Sequence, residues 1–283
     1  CLENLTRNLS DIEIIVFDNA STDGAAAMVE QSFQDVCLIK SEVNKGIAYG
    51  YNRAFEYATS KYILYLGSDA FPTQRVLEGL VSYLDSNTDV GLVTPQLVDK
   101  STKLDFDAHR GYPTPWTALT HFIGLGKVFP KSRLFNAYFL GHKDMTKPHE
   151  IDACISHFML VQRAAISKIG GWDEDFFVYG EDIDFCYRLK QSGYKIMYHT
   201  DYEVLHYKGA TIGVRKTTSQ LSRASLQTKI AMKKASVDAM EIFYKKHYMT
   251  KYPRLITFLV LMGIRVMLWY RVSVFKLKNL HAN

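Results

Sequence analysis

The 283-residue chain has only four cysteines, and no two of them form a CxxC pair. Cys1, Cys37, Cys154 and Cys186 stand far apart, which excludes a zinc ribbon or a disulfide-stapled secreted scaffold and points to a reducing cytoplasm. Proline is sparse, seven in all, and four of them fall between residues 99 and 150. The opening CLENLTRN has no Met, no basic segment and no apolar run, so no signal peptide is expected from it. Acids are almost missing from the last part of the chain. Residues 205–283 hold 2 Asp or Glu against 15 Lys or Arg, a net +13, while residues 1–204 hold 27 against 19, a net −8. An acidic body repels nucleic acid, and the basic tail seeks an anionic surface unless its charges only solvate helix faces. A composition 47% hydrophobic and 22% charged excludes a disordered polymer or a collagen-like fibre.

The first hundred residues alternate in the rhythm of a parallel α/β sheet. Strands are expected at 12–18 (IEIIVFD), 36–41, 62–69 (YILYLGSD) and 90–97, with helices at about 21–33, 46–59 and 74–87 between them. Ser21 or Thr22 is the expected cap of the first of these helices. Right-handed crossovers would lay the strands side by side, with helices on both faces and ligands at their carboxyl ends. Two strands end there on acids, Asp18 and Asp69. Residues 99–150 lose the rhythm and read as a long excursion, and 157–169 resume as a strand and short helix.

The densest chemical constellation is GGWDEDFFVYGEDIDFCYRLKQSGYKI (170–196). Glu181, Asp182 and Asp184 crowd the first turn of a helix expected from Glu181 to Gln191, after a flexible Gly180. One acid there would simply favour the helix dipole. Three in four residues, preceded by an aromatic run, also fit carboxylates held at a cleft for general-base work.

DNASTDG (18–24), NKGIAYGYN (44–52), LGSD (66–69), the 170–189 block and HYKGAT (206–211) occur in the order and spacing of the family-2 glycosyltransferases. The chain resembles that family over about residues 11–215, most of all its bacterial rhamnosyltransferase-like members that build polysaccharide. The resemblance implies a GT-A fold, a Rossmann-like and mostly parallel sheet with helices on both faces, over residues 1–215. It also implies an inverting, metal-dependent transfer of a sugar, rhamnose among the candidates, from a UDP- or dTDP-sugar to a glycan or lipid-linked acceptor. The family opens on an apolar strand that also touches the nucleotide, and Cys1-Leu2-Glu3 resembles the helix after it, so an N-terminal truncation is expected.

Carried over residue by residue, the resemblance assigns Asp18 and Asn19 to the pyrimidine base, with Asn44, Gly46 and Asn52 as further donor contacts. The Asp18-Asn19 pair would equally form an Asx turn, and Asn52 would equally tie down a loop. Asp69, the last acid of LGSD, and His206 are the implied ligands of Mg²⁺ or Mn²⁺. Asp182 is the implied catalytic base. Glu181 or Asp184 is the implied holder of the acceptor, and Trp172 and Tyr179 are implied to stack on sugar rings, unless Trp172 is core. GIAYGYN is not GxGxxG, which disfavours a nicotinamide dehydrogenase.

The tail, residues 216–283, reads as a basic helix at about 218–247 followed by an apolar one at about 254–275. LITFLVLMGIRVMLWY (255–270) has 16 residues with an internal Arg265, which falls short of the ~20 apolar residues a spanning helix needs. An interfacial helix is expected instead. Leu255, Phe258, Leu259, Met262, Val266 and Trp269 would enter the lipid, while Arg265 and Lys276 snorkel and Lys229, Lys233, Lys234, Lys245 and Lys246 add attraction. This reading puts the protein at the cytoplasmic face of the plasma membrane. Packing against the body or a twin subunit, giving a homo-oligomer, is the alternative for the tail. The alternative for the whole is a non-catalytic membrane-bound binding or assembly subunit.

Overall fold

The computed structural model describes residues 1–207 and 226–280, with side chains through 207 and from 230 to 275. The chain divides into two units, one of Cys1–Trp172 with Asp182–Lys208, the other of Asp173–Glu181 with Gly209–Asn283. The nine residues before Asp182 join the tail's unit.

In the first unit the elements are α1 (Leu2–Asn8), β1 (Ile15–Asp18), α2 (Ala25–Ser32), β2 (Cys37–Lys40), α3 (Ile47–Tyr57), β3 (Tyr62–Leu66), β4 (Ala70–Phe71), α4 (Gln74–Ser86) and β5 (Val90–Val98). Then follow α5 (Pro115–Phe122), α6 (Leu125–Val128), β6 (His149–Glu150), β7 (Phe158–Gln162), α7 (Arg163–Ile169), α8 (Glu181–Gln191) and β8 (Lys195–His206). The β–α rhythm expected through residue 98 is present. The excursion at 99–150 is less bare than its sequence suggests, because α5, α6, a 3₁₀ turn and β6 punctuate it. Neither Ser21 nor Thr22 caps α2, which begins after a left-handed Gly24 with no side-chain cap.

The sheet is mixed rather than mostly parallel. β1 and β2 form a parallel pair, and the other six strands run β3-β7-β5-β8-β4 with β6 on β8. β5 and β8 are parallel, but β7 runs antiparallel to both β3 and β5. The reason is connectivity. The excursion leaves at the carboxyl end of β5 and brings the chain back at that same end, so β7 runs between β3 and β5 in the opposite sense.

The core lies between this sheet and its helices. α4 turns Val76, Leu80 and Leu84 inward at helical spacing, and β5 is buried at eight of its nine positions, as a strand covered on both faces should be. Fully burying one such aliphatic side chain is worth ~1.5–3 kcal/mol.

In the second unit, α9 (Leu226–His247) and α10 (Arg254–Leu280) pack on each other. α10 corrects the sequence estimate of its length. Arg254–Phe275 is a 22-residue stretch long and apolar enough to cross a membrane by length and composition alone. Leu255, Phe258, Leu259, Met262, Val266 and Trp269 are all exposed on it. Arg265 is not left to snorkel, because its Nη2 donates to Glu241 Oε1 at 2.8 Å. The side chains of Lys229 and Lys276, and residues 208–211 of HYKGAT, lie outside the described residues.

Candidate active site

β3 ends at Leu66, and the chain turns at once through Gly67-Ser68-Asp69 into β4. β4 pairs antiparallel with the end of β8, with Ala70 opposite His206. Residue 69 and residue 206 are thereby brought together from opposite ends of the sequence. β7 pairs antiparallel with β3, Phe158 opposite Leu66, and the Gly67 amide donates to the His157 carbonyl at 3.0 Å. His157 therefore joins them. Its Nε2 stands 3.8 Å from Asp69 Oδ1, and His206 Nε2 stands 3.5 Å from the same oxygen. One ligand atom from each of the three lies within 4.8 Å of the others.

Gly67 is required by this arrangement. A Cβ there would come within 2.7 Å of the His157 ring and 2.9 Å of Asp69 Oδ1. Across the cluster, His206 Nδ1 lies 3.2 Å from Asp105 Oδ2. Burial alone would lower the His206 pKa, but Asp105 and Asp69 on its two sides outweigh it and push the ring up to about 9. Burial is also the largest influence on Asp69, yet His206 and His157 together hold its carboxyl below the usual range. His157 is lowered chiefly by burial, with Asp69, Asp182 and Asp105 all acting on it in the opposite sense.

Donor separations of 3.5 and 3.8 Å suit ligands ~2.0–2.2 Å from one shared ion, so Asp69, His157 and His206 fit a divalent cation. Asp105 would orient His206 from behind, as second-shell carboxylates do for ligating imidazoles.

Asp182 sits in the first turn of α8, which begins at Glu181 as expected. Its Oδ2 accepts from Arg110 Nη2 at 2.5 Å, and its Oδ1 accepts from the Ile183 amide at 2.8 Å. Both side chains of the Arg110–Asp182 pair are about nine-tenths buried, at 9% and 10% exposure. Arg110 is positioned by a backbone bridge to Ala153, which pins the excursion to the chain just before β7.

The donor-side residues form a connected loop pair. Asn19 Nδ2 donates to the Gly46 carbonyl at 2.9 Å, and Asn19 Oδ1 accepts from the Lys45 amide at 3.0 Å. Asn44 Oδ1 takes the Gly46 amide at 3.0 Å. Asp18 Oδ2 accepts from the Ser21 amide at 3.2 Å, so the Asx-type turn read from the sequence forms. The carboxyl ends of β1 and β2 are thus knitted into one rim.

Three expected contacts have other places. Asn52 clasps the backbone of Trp172 with both ends of its amide, Nδ2 to the carbonyl at 2.9 Å and Oδ1 from the amide at 2.8 Å. Trp172 is 3% exposed and stacks on Phe185 at 4.3 Å, with Tyr51 and Tyr65 against it. Asp184 has no exposed surface and accepts from Arg188 Nε at 2.7 Å. Asn52, Trp172 and Asp184 are therefore core and loop-anchoring residues in this structure. Tyr179 and Glu181 belong to the second unit, Glu181 buried and Tyr179 partly exposed.

Sequence reasoning missed His157, Asp105 and Arg110. Asp105 and Arg110 lie in the irregular excursion, where no periodicity marks them. His157 was hidden by the parallel assumption, since only an antiparallel β7 sets its first residue beside the end of β3.

An α/β enzyme with an acid and two histidines at its strand ends, and a helix-borne carboxylate acting on them, is what fold and site define. The chain belongs to Glycosyl transferase family 2, whose model matches residues 1–170. It is 25% identical over 215 residues to the N-acetylglucosaminyl-diphospho-decaprenol L-rhamnosyltransferase of Mycobacterium tuberculosis, covering 71% of this chain and 68% of that one. It is 26% identical over 214 residues to rhamnosyltransferase WbbL of Escherichia coli, covering 73% and 76%. In fold it is similar to GalNAc-T7 crystallised with UDP, GalNAc and Mn²⁺, at a TM-score of 0.50 and 15% identity over 81% of this chain and 41% of that one. The fold is GT-A.

Proposed function

We propose that this glycosyltransferase moves a sugar, rhamnose being the first candidate, from a UDP- or dTDP-sugar to a hydroxyl of a lipid-linked or polysaccharide acceptor, with inversion. The observation that carries the reading is the Asp69–His157–His206 cluster at the end of β3, with the helix-borne Asp182 acting electrostatically on His157. The names of the bacterial relatives support rhamnose and a lipid-linked acceptor.

Asp69, His157 and His206 would hold the divalent cation, which when bound offsets the charge of a nucleoside diphosphate as it leaves. Two imidazoles with one carboxylate favour Mn²⁺ over Mg²⁺, whose preferred ligands are all oxygen. The rim of Asp18, Asn19, Asn44 and Gly46 is where the nucleoside would lie, Asp18 supplying an acceptor for a pyrimidine N3–H.

Asp182 is the base. The acceptor oxygen forms its bond to the anomeric carbon while the carbon–oxygen bond to the diphosphate breaks on the opposite face, and the hydroxyl proton passes to Asp182. A carboxylate offers about four acceptor directions. Arg110 and the Ile183 amide take two of them here, which fixes the orientation and leaves others for the acceptor hydroxyl. Glu181, next to it at the start of α8, is the candidate acceptor contact.

The exposed apolar face of α10 and the basic tail support a peripheral place on an anionic membrane surface, at the cytoplasmic side. The decisive experiment measures sugar transfer from a panel of UDP- and dTDP-sugars with and without Mn²⁺. Cation-dependent turnover lost in Asp182→Asn supports the reading. Donor binding with no turnover on any donor or acceptor would return the chain to a non-catalytic role.

A further inference from the structure

The second unit contains a cleft of about 360 Å³ between α9, α10 and the loop that leads into α8. Its wall carries two cations, Lys233 and Arg271, and three hydroxyls, Tyr179, Ser236 and Tyr270, while Val274 and Phe275 supply apolar surface. None of its lining residues is acidic. Lys233 Nζ stands 4.8 Å above the Phe275 ring, a cation–π contact that orients the ammonium. Tyr179 reaches the cleft through a left-handed backbone, φ 67°, followed by Gly180 at φ 80°. Gly180 has Ala239 and Phe176 so near that a Cβ would stand 3.2 Å from each. The strained pair is thus held by packing within this unit. The same α10 that contributes Arg271 exposes Val266 and Trp269 along its length.

We propose that this cleft binds the phosphate headgroup of an anionic lipid, with Lys233 and Arg271 on the phosphate oxygens and the Tyr179 hydroxyl donating to them, while Ser236 donates to the Lys233 carbonyl at 2.9 Å. The chain of the lipid follows Val274 and Phe275 onto the apolar face of α10. A compact oxyanion meets two cations and a tyrosine hydroxyl at once, and charge-assisted bonds of this kind are about twice as strong as neutral ones. The volume suits a headgroup with its first few carbons rather than a whole lipid. The assignment deepens the lipid-linked-acceptor reading and rests on it for its purpose, since Tyr179 lies three residues before Asp182 in the chain.

The test is calorimetric titration of the full chain with farnesyl phosphate, farnesol and inorganic phosphate, without donor or cation. Farnesyl phosphate should bind, and Lys233→Gln and Arg271→Gln should each weaken it by about tenfold or more. Tyr179→Phe should weaken it less, and Arg271→Lys should restore part of the loss. Lys234→Gln removes the same charge from an exposed neighbour outside the cleft and should change affinity by less than about twofold. Equal losses in all three charge variants would reduce the site to diffuse attraction and overturn the proposal. So would farnesol or inorganic phosphate binding as tightly as farnesyl phosphate. Transfer to a soluble acceptor is read separately, so failure of the unaltered chain to bind farnesyl phosphate, with transfer intact, sinks this proposal alone.

Discussion

At the scale of single residues, Asp69 ties together three strands' worth of the site. It faces His157 and His206 and closes the turn between β3 and β4, so its carboxylate has a task that no neighbour duplicates. Asp69→Ala should abolish the Mn²⁺-dependent part of UDP or dTDP binding, read by titration with and without the cation. Undiminished cation-dependent affinity would move the metal site elsewhere. Asp182→Asn keeps the shape and, through its one amide oxygen, one of the two bonds from Arg110 and the Ile183 amide, but removes the charge and the proton acceptor. Donor binding should survive, and turnover should fall by ~10²–10⁴-fold. If Glu181→Gln were the inactive variant and Asp182→Asn ran near normally, the two roles would have to be exchanged.

At the scale of elements, the turn before α8 depends on a residue far away in sequence. Asn52 on α3 holds Trp172 from both sides, and a Cβ on Gly171, itself at φ 80°, would strike the Asn52 Oδ1 at 2.7 Å. Asn52→Ala removes two bonds to backbone groups that have been taken from water, which should cost ~1–3 kcal/mol, read as a lower urea midpoint with an unchanged slope. A drop in donor affinity with no loss of stability would give Asn52 back its expected nucleotide role. The sequence made α8 legible to its first and last residue, because an acidic start and a Gly193 stop frame it. β1, β2, β3 and β5 were legible to within a few residues, since apolar runs and turn residues mark them, but the two-residue β4 was not. Strand direction was not, because a buried strand reads the same forwards and backwards. β7 shows the cost: its reversal delivers His157 to Asp69, and periodicity carries no trace of that. Trp172 and Asp184 illustrate a second limit. Residue type fits both a sugar platform and a core aromatic, and only packing against Phe185 and Arg188 decides.

At the scale of the molecule, acidity and charge distribution set the behaviour. His109 is 1% exposed and its Nε2 stands 2.6 Å from His149 Nε2. Burial first, and then His149, hold its pKa down to about 4 against an ordinary 6.5. The unfolded chain therefore takes up a proton that the folded one refuses. The stabilising contribution is complete above pH 6.5 and is lost as pH falls toward 4, a span worth about 3 kcal/mol. Urea midpoints across that range should fall with acid, and His109→Phe should flatten the slope while lowering the plateau. At the other end of the chain, the +13 tail and exposed α10 should make the protein sediment with anionic vesicles and be released by salt. Phe258→Glu with Trp269→Glu should weaken that retention and leave donor hydrolysis unchanged. Retention that resists salt and yields only to detergent would mean that α10 inserts deeply.

Gly67 carries a consequence for recognising such chains. The place where a second strand-end carboxylate could stand is closed by the His157 ring, and an imidazole from another strand occupies the neighbourhood instead. A sequence screen keyed to paired acids would pass over this chain and others built like it. A glycine two residues before a lone aspartate, together with a histidine opening a later apolar strand, would retrieve them. The two signatures describe the same aspartate–histidine corner, drawn once along the chain and once across the sheet.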